Sequence, residues 1–179
     1  MERGAALSAE EPRRDGPEII WAPWRSEYVG DEDARQERPG CVFCDLPERG
    51  DDEAAYILHR GKGAYVVMNL YPYNPGHVMV VPFAHVQDLG GLGDDLPSEM
   101  IRLAQTTERI LSEALRPHGF NVGINIGRAG GAGIADPLHM HVLPRWTADT
   151  NFLTSLADAR VIPLGLDETY SLLSKGFAP

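Results

Sequence analysis

The chain has 179 residues, 43% of them hydrophobic, and a formal net charge of −10. That length supports one domain with a full core, and the acidity argues against broad electrostatic binding of DNA or RNA. No run approaches the roughly 18 apolar residues of a membrane span.

The opening segment MERGAALSAEEPRRDG has no apolar centre, so a secretory signal is not expected and a cytoplasmic location is. Residues 1–18 are charged and rich in Pro and Gly, and read as a disordered tail; residues 19–179 read as a single domain. Trp21 and Trp24 are costly to leave in water and call for cover by the body or a partner. Residues 30–40 read as a polar loop. Cys41-Val-Phe-Cys44 holds both cysteines of the chain. Two cysteines cannot build a disulfide framework, so the spacing reads as half a zinc site, a redox pair or chance.

Residues 55–59 and 64–68 are short runs rich in β-formers, joined by Arg60-Gly61-Lys62-Gly63, a hairpin pattern. Residues 70–76 carry turn chemistry, and 77–82 read as a buried strand ended by Pro82. A helix is predicted over 97–115. Pro97 suits its first turn, and Asp94 or Asp95 lies near its start. Met100, Leu103, Ala104, Thr107, Ile110, Leu111 and Ala114 line one face of it. His118-Gly119 is expected to close it. Strands are predicted over 120–126 and 138–143, with a glycine-rich loop between them, and a terminal helix over 167–174. Strands at hairpin spacing with one long inserted helix predict an α+β fold on an antiparallel sheet.

Of the six histidines, two lie in Leu138-His139-Met140-His141-Val142-Leu143-Pro144-Arg145. Alternate residues of a strand share a face. His139 and His141 therefore point one way, while Leu138, Met140 and Val142 point into the core. The bland alternative is a half-buried strand with polar residues in water. Directly upstream, Asn125-Ile126-Gly127-Arg128-Ala129-Gly130-Gly131-Ala132-Gly133 can bring backbone N–H groups close to an anion.

With these segments the chain resembles the histidine triad family, whose motif is His-φ-His-φ-His-φ-φ with φ apolar. Here the motif reads Pro137-Leu138-His139-Met140-His141-Val142-Leu143. Asn74-Pro75-Gly76-His77, the step from Asn69 to His77, and Asn125 before the glycine loop also match, over about residues 41–146. Trp21-Ala22-Pro23-Trp24-Arg25 resembles the branch that cleaves diadenosine polyphosphates, including bacterial diadenosine tetraphosphate phosphorylases.

The resemblance implies an antiparallel sheet with one long helix and a short C-terminal one, a homodimer, and an enzyme acting on the α-phosphate of dinucleoside polyphosphates. It implies that His139 attacks through Nε2 to form a nucleotidyl-imidazole and that His141 contacts the phosphate and assists the leaving group. Backbone N–H groups around Gly131, Gly133 and Ile134 would hold the oxygens. Asn69 and His77 would lie on the ribose and nucleoside side, with Asn125 at the phosphate; the bland alternative for His77 is a core histidine capping a turn. Inorganic phosphate is a candidate acceptor, no organic cofactor is expected, and neither nucleic acid nor a membrane is an expected partner. The rival readings are a nucleoside phosphoramidase or nucleotidyltransferase of the same fold, and a nucleotide-binding module without turnover. The resemblance also implies a structural zinc on Cys41, Cys44 and His85, weakly held or absent because Pro137 stands where the family has the fourth ligand, a histidine. A closed structural zinc site takes four ligands; water or Asp136 would have to complete this one.

Overall fold

A computed structural model describes residues 40–147, 149 and 164–177. The disordered tail expected over 1–18, the tryptophan pair and most of the loop expected over 30–40 lie outside the described residues. Five strands form one antiparallel sheet: β1 (Ile57–Arg60), β2 (Ala64–Met68), β3 (Val78–Pro82), β4 (Gly119–Ile124) and β5 (Met140–Arg145), in the order β1-β2-β3-β5-β4. Among the described residues three α-helices accompany them: α1 (Val42–Glu48), α2 (Leu96–Leu115) and α3 (Leu166–Phe177). This is the expected α+β architecture. Among the described residues no helix is long and apolar enough to cross a membrane.

Period-two alternation divides the side chains between two cores. On one face Val66, Met68, Val78, Val80, Leu138, Met140 and Val142 pack with Met100, Leu103, Ala104, Ile110 and Leu111 of α2 and Leu173 of α3. The apolar stripe read from the sequence is the buried stripe of this helix except for Ala114, which is partly buried, and it includes Thr107, whose hydroxyl donates to the Leu103 carbonyl at 2.8 Å. Leu111 is fully buried, so Leu111→Ala would cost about 2–5 kcal/mol. On the opposite face Tyr65, Val67, Met79 and Val81 pack with Phe43 and Leu46 of α1.

Helix α1 was not predicted. With seven residues and Pro47 inside its last turn it shows no helical period. Tertiary contacts hold it: Phe43 and Leu46 are buried, and the Tyr65 hydroxyl donates to the Phe43 carbonyl at 2.6 Å. Burial pushes the Tyr65 phenol well above its usual range and keeps it a donor.

Helix α2 also ends differently from the expectation. Arg116 closes it in the left-handed conformation (φ 50°, ψ 52°), and its N–H bonds the Ser112 carbonyl. His118 instead joins the sheet end, donating its N–H to the Arg145 carbonyl at 2.8 Å, and Gly119 begins β4. At the helix start Asp95 makes no side-chain cap, while Glu99 accepts from the N–H groups of Lys62 and Gly63. That carboxylate anchors the β1–β2 turn to α2.

Candidate active site

Because Leu138, Met140 and Val142 face α2, His139 and His141 face the α1 side. Their ring centroids are 4.8 Å apart at 71°. His139 is buried, with Phe43 against its ring at 5.0 Å. Its Nδ1 lies 3.1 Å from the Pro137 carbonyl. A carbonyl can only accept, so Nδ1 carries the proton and Nε2 keeps its lone pair. Proline supplies this carbonyl as well as histidine would. Phe43 was missed as a site residue; its only signal was an apolar side chain between the cysteines.

A second chain of hydrogen bonds sets the tautomer of His141. The Tyr73 backbone N–H donates to His77 Nδ1 at 3.2 Å. Asn69 accepts the Tyr71 N–H on Oδ1 at 2.9 Å, which turns its amide nitrogen toward the same His77 Nδ1 at 3.3 Å. With Nδ1 accepting, His77 carries its proton on Nε2, which donates to His141 Nδ1 at 2.9 Å. Neutral His141 must then carry its own proton on Nε2. The two triad imidazoles are thus set oppositely, one with a free Nε2 lone pair and the other with an Nε2–H donor.

The eight-residue step from Asn69 to His77 has a simple cause. Met68 and Val78 are the last β2–β3 pair, and Asn69 and His77 follow outward, with the Asn69 N–H on the His77 carbonyl at 2.9 Å. One expectation is corrected here. His77 was read as a nucleoside contact, but it is 1% exposed and spends both ring nitrogens on protein groups. Its Nε2 is directed at His141 Nδ1 instead. Asn69 is half-buried beside it.

Burial holds the His139 imidazole below the usual histidine range, against a weaker upward pull from the Pro137 carbonyl. Burial, and then the neighbouring His139, bring His141 down to about 4. Both rings are neutral at pH 7.

The glycine loop begins where β4 leaves the histidine strand. Ile124 pairs with Met140, so Asn125 and His139 are the next residues outward. Asn125 donates its amide to the Gly131 carbonyl at 3.4 Å, across the loop. Not every expected anion donor is available. Gly131, at φ +90°, donates its N–H to the Arg128 carbonyl at 2.9 Å, and Ala132 donates to the Gly127 carbonyl at 3.4 Å. Gly133 and Ile134 are exposed at the end of the loop. Of the three predicted donors, Gly131 is therefore committed within the loop, and Gly133 and Ile134 are the better placed.

Cys41, Cys44 and His85 converge, each offering one ligand atom, all within 4.8 Å of one another. Cys44 Sγ is 3.3 Å from His85 Nδ1. Two sulfurs and an imidazole suit zinc, and the spacing is close to the edge of a tetrahedral site. The Asp136 carboxylate does not join this cluster. It accepts from Gln87 Nε2 at 3.1 Å, and it is the Asp136 carbonyl that faces Cys41 Sγ, at 3.8 Å.

The family description "HIT domain" matches residues 52–148, more than half of the chain and all of the histidine site. The chain belongs to the HIT family. It is 39% identical over 171 residues to the AP-4-A phosphorylase of Mycobacterium tuberculosis, covering 93% of this chain and 87% of that one. Among solved structures it is similar to a zinc-bound histidine triad family protein from Mycobacterium smegmatis, with TM-score 0.63, 25% identity, and coverage of 77% of this chain and 93% of that one. It is also similar to a hypothetical histidine triad nucleotide-binding protein from Sulfolobus tokodaii, with TM-score 0.59, 25% identity, and coverage of 76% and 89%. HIT membership accounts for the five-stranded sheet, the long helix and the histidine strand together.

Proposed function

We propose that this chain is a dinucleoside polyphosphate-cleaving enzyme that works through a covalent nucleotidyl-His139 intermediate. The observation that carries this reading is the opposite setting of the two Nε2 atoms. Pro137 orients the His139 lone pair outward, and the His77 contact leaves His141 an Nε2–H donor. Similarity to an AP-4-A phosphorylase along nearly the whole chain supports the substrate class.

In the first step His139 Nε2 attacks the α-phosphorus and forms a P–N bond. The P–O bond to the β-phosphate breaks, and the remaining nucleotide leaves with the bridging oxygen. The Nε2–H of His141 donates to oxygen at this centre, and the N–H groups of Gly133 and Ile134 steady the non-bridging oxygens. In the second step an oxygen of inorganic phosphate or water attacks the same phosphorus and restores free His139. Splitting one displacement into two lowers each barrier, and a neutral imidazole is a competent nucleophile near pH 7. Asn69 serves the ribose side and Asn125 the phosphate side.

Cys41, Cys44 and His85 would hold a zinc ion that braces α1 and the segment after β3. Its place is structural, because the nucleophile is an imidazole.

The test is incubation with diadenosine tetraphosphate, with and without inorganic phosphate. ADP plus ATP marks phosphorolysis, the outcome expected from the AP-4-A phosphorylase similarity. AMP plus ATP marks hydrolysis through the same intermediate. Absence of product would overturn the enzymatic reading in favour of a binding module.

A further inference from the structure

His77 sets the proton position of His141 while its Nδ1 is kept an acceptor, by the Tyr73 N–H at 3.2 Å together with the Asn69 amide at 3.3 Å. Tyr73 lies in the turn between β2 and β3, so what holds this turn matters. On one side it is packed tightly: Gly76 is at φ +73°, and a Cβ there would meet Leu115 at 2.5 Å and Leu111 at 2.9 Å. On the other side it is tied by Asn74. The Asn74 carbonyl accepts the His77 N–H at 3.2 Å. Its amide nitrogen donates to the Pro144 carbonyl at 3.0 Å and to Asp149 Oδ2 at 2.7 Å.

Four donors from the described residues converge on the Asp149 carboxylate. Arg145 reaches it with Nε at 2.6 Å and Nη2 at 2.8 Å, Trp146 with its N–H at 3.1 Å, and Asn74 with its amide. A two-pronged guanidinium–carboxylate pair fixes orientation as well as distance. The Asp149 side chain is only 11% exposed, which limits screening by salt. Arg145 spends its remaining arm on Asn121 Oδ1 of β4 at 2.6 Å. An ordinary strand-end ion pair would explain Arg145 and Trp146. It would not explain the bond from Asp149 to Asn74 in the turn ahead of His77, 75 residues away in the chain.

We propose that Asp149 is a positioning residue for the histidine site, locking the His77 turn through Asn74 onto the end of the strand that carries His141. The proposal rests on the reading of His139 and His141 as the reactive pair. Without the lock the turn is free to draw the Tyr73 N–H off His77 Nδ1, which leaves the longer Asn69 amide contact to oppose a change of tautomer. The His77 proton can then move to Nδ1, leaving Nε2 an acceptor. His141 Nδ1 must then carry a proton to donate to it, and neutral His141 loses the Nε2–H that faces the substrate. The loss falls on the transition state, where that donor is used.

The experiment uses the full chain with Asn74→Ala, Asp149→Ala and the double variant. Asp52→Ala, which breaks the exposed Arg60–Asp52 pair, is the comparison. Ring-nitrogen NMR reports the tautomers of His77 and His141, and turnover of diadenosine tetraphosphate reports the rate. Each single variant should convert His77 from one Nε2–H tautomer to a mixture and lower kcat about ten- to a hundredfold, with a smaller change in KM. The double variant should be no slower than the slower single, because both cut one link. Asp52→Ala should leave spectrum and rate unchanged. Wild-type ring-nitrogen shifts in both single variants would overturn the proposal, as would fully additive rate losses. If Asp149→Ala fails to fold, Asn74→Ala still decides, since it keeps the Arg145–Asp149 pair. If the unsubstituted chain turns nothing over, the proposed function fails and the NMR arm still tests the lock.

Discussion

His77 Nε2 lies 2.9 Å from His141 Nδ1, so a buried histidine outside the triad strand decides which nitrogen of His141 can face a substrate. His77→Phe fills the site with an aromatic ring and deletes the donor. We expect kcat to fall about a hundredfold or more while nucleotide affinity changes little. Steady-state kinetics with a parallel binding titration separates the two, and an unchanged kcat would show that His141 needs no partner.

His139→Gly should abolish turnover while nucleotide binding survives. Removing a covalent nucleophile costs on the order of several powers of ten in rate. More than a tenth of the wild-type rate in the variant would sink the assignment of His139. A radiolabelled adenylyl group retained by the wild-type chain after acid-free denaturation, and not by His139→Gly, would mark the intermediate directly.

The pH dependence follows from burial. Both triad imidazoles titrate below the ordinary 6.5, His141 at about 4. Protonation removes the lone pair of His139, so activity is lost as pH falls, and the loss begins only below the usual histidine range. The acid limb of kcat/KM should therefore have its midpoint below 6.5. The same sign holds for stability: the unfolded chain takes up protons on these histidines before the folded one does, so the folded state weakens as pH drops through that window. An acid limb centred at or above 6.5 would mean that solvent reaches the rings.

Pro137→His restores the ligand type that the family has at this position, and it should tighten zinc about ten- to a hundredfold. Metal content after dialysis against a mild chelator checks this for both chains. If the unsubstituted chain keeps a full equivalent, Pro137 is not a damaged ligand position and a group other than the Asp136 carboxylate closes the site. Stripping the metal should slow turnover far less than loss of His139.

A homodimer is expected to form by extension of the sheet. β4 is one of its two edge strands, its outer edge pairs with no strand among the described residues, and Val122 on it is 49% exposed. Unpaired strand edges are ready templates for a second copy, and isologous dimers are the commonest assembly. Light scattering at micromolar concentration should give twice the chain mass. A monomer would refute it.

Much of this protein was legible along the chain because the information is periodic and local. Alternation in Leu138-His139-Met140-His141-Val142 divides the strand between two faces whatever it pairs with, and the apolar stripe from Met100 to Leu111 selects the buried side of α2. The hairpin of β1 and β2 and the glycine loop could likewise be read from residue type and spacing, and the Cys41, Cys44, His85 set from the family resemblance. What only the tertiary structure decided depends on groups far apart in sequence meeting at hydrogen-bonding distance. Helix α1 exists because Phe43 and Leu46 find a sheet face. His77 turned from an expected substrate contact into the partner of His141 because it is buried where two strands end. Gly131 lost its expected role to a carbonyl three residues back. Asp149 left no readable signal, since a single carboxylate after a strand becomes informative only once Arg145 and Asn74 are both seen to point at it. Periodicity determines which face a side chain takes. The proton on each imidazole is determined by what lies opposite it.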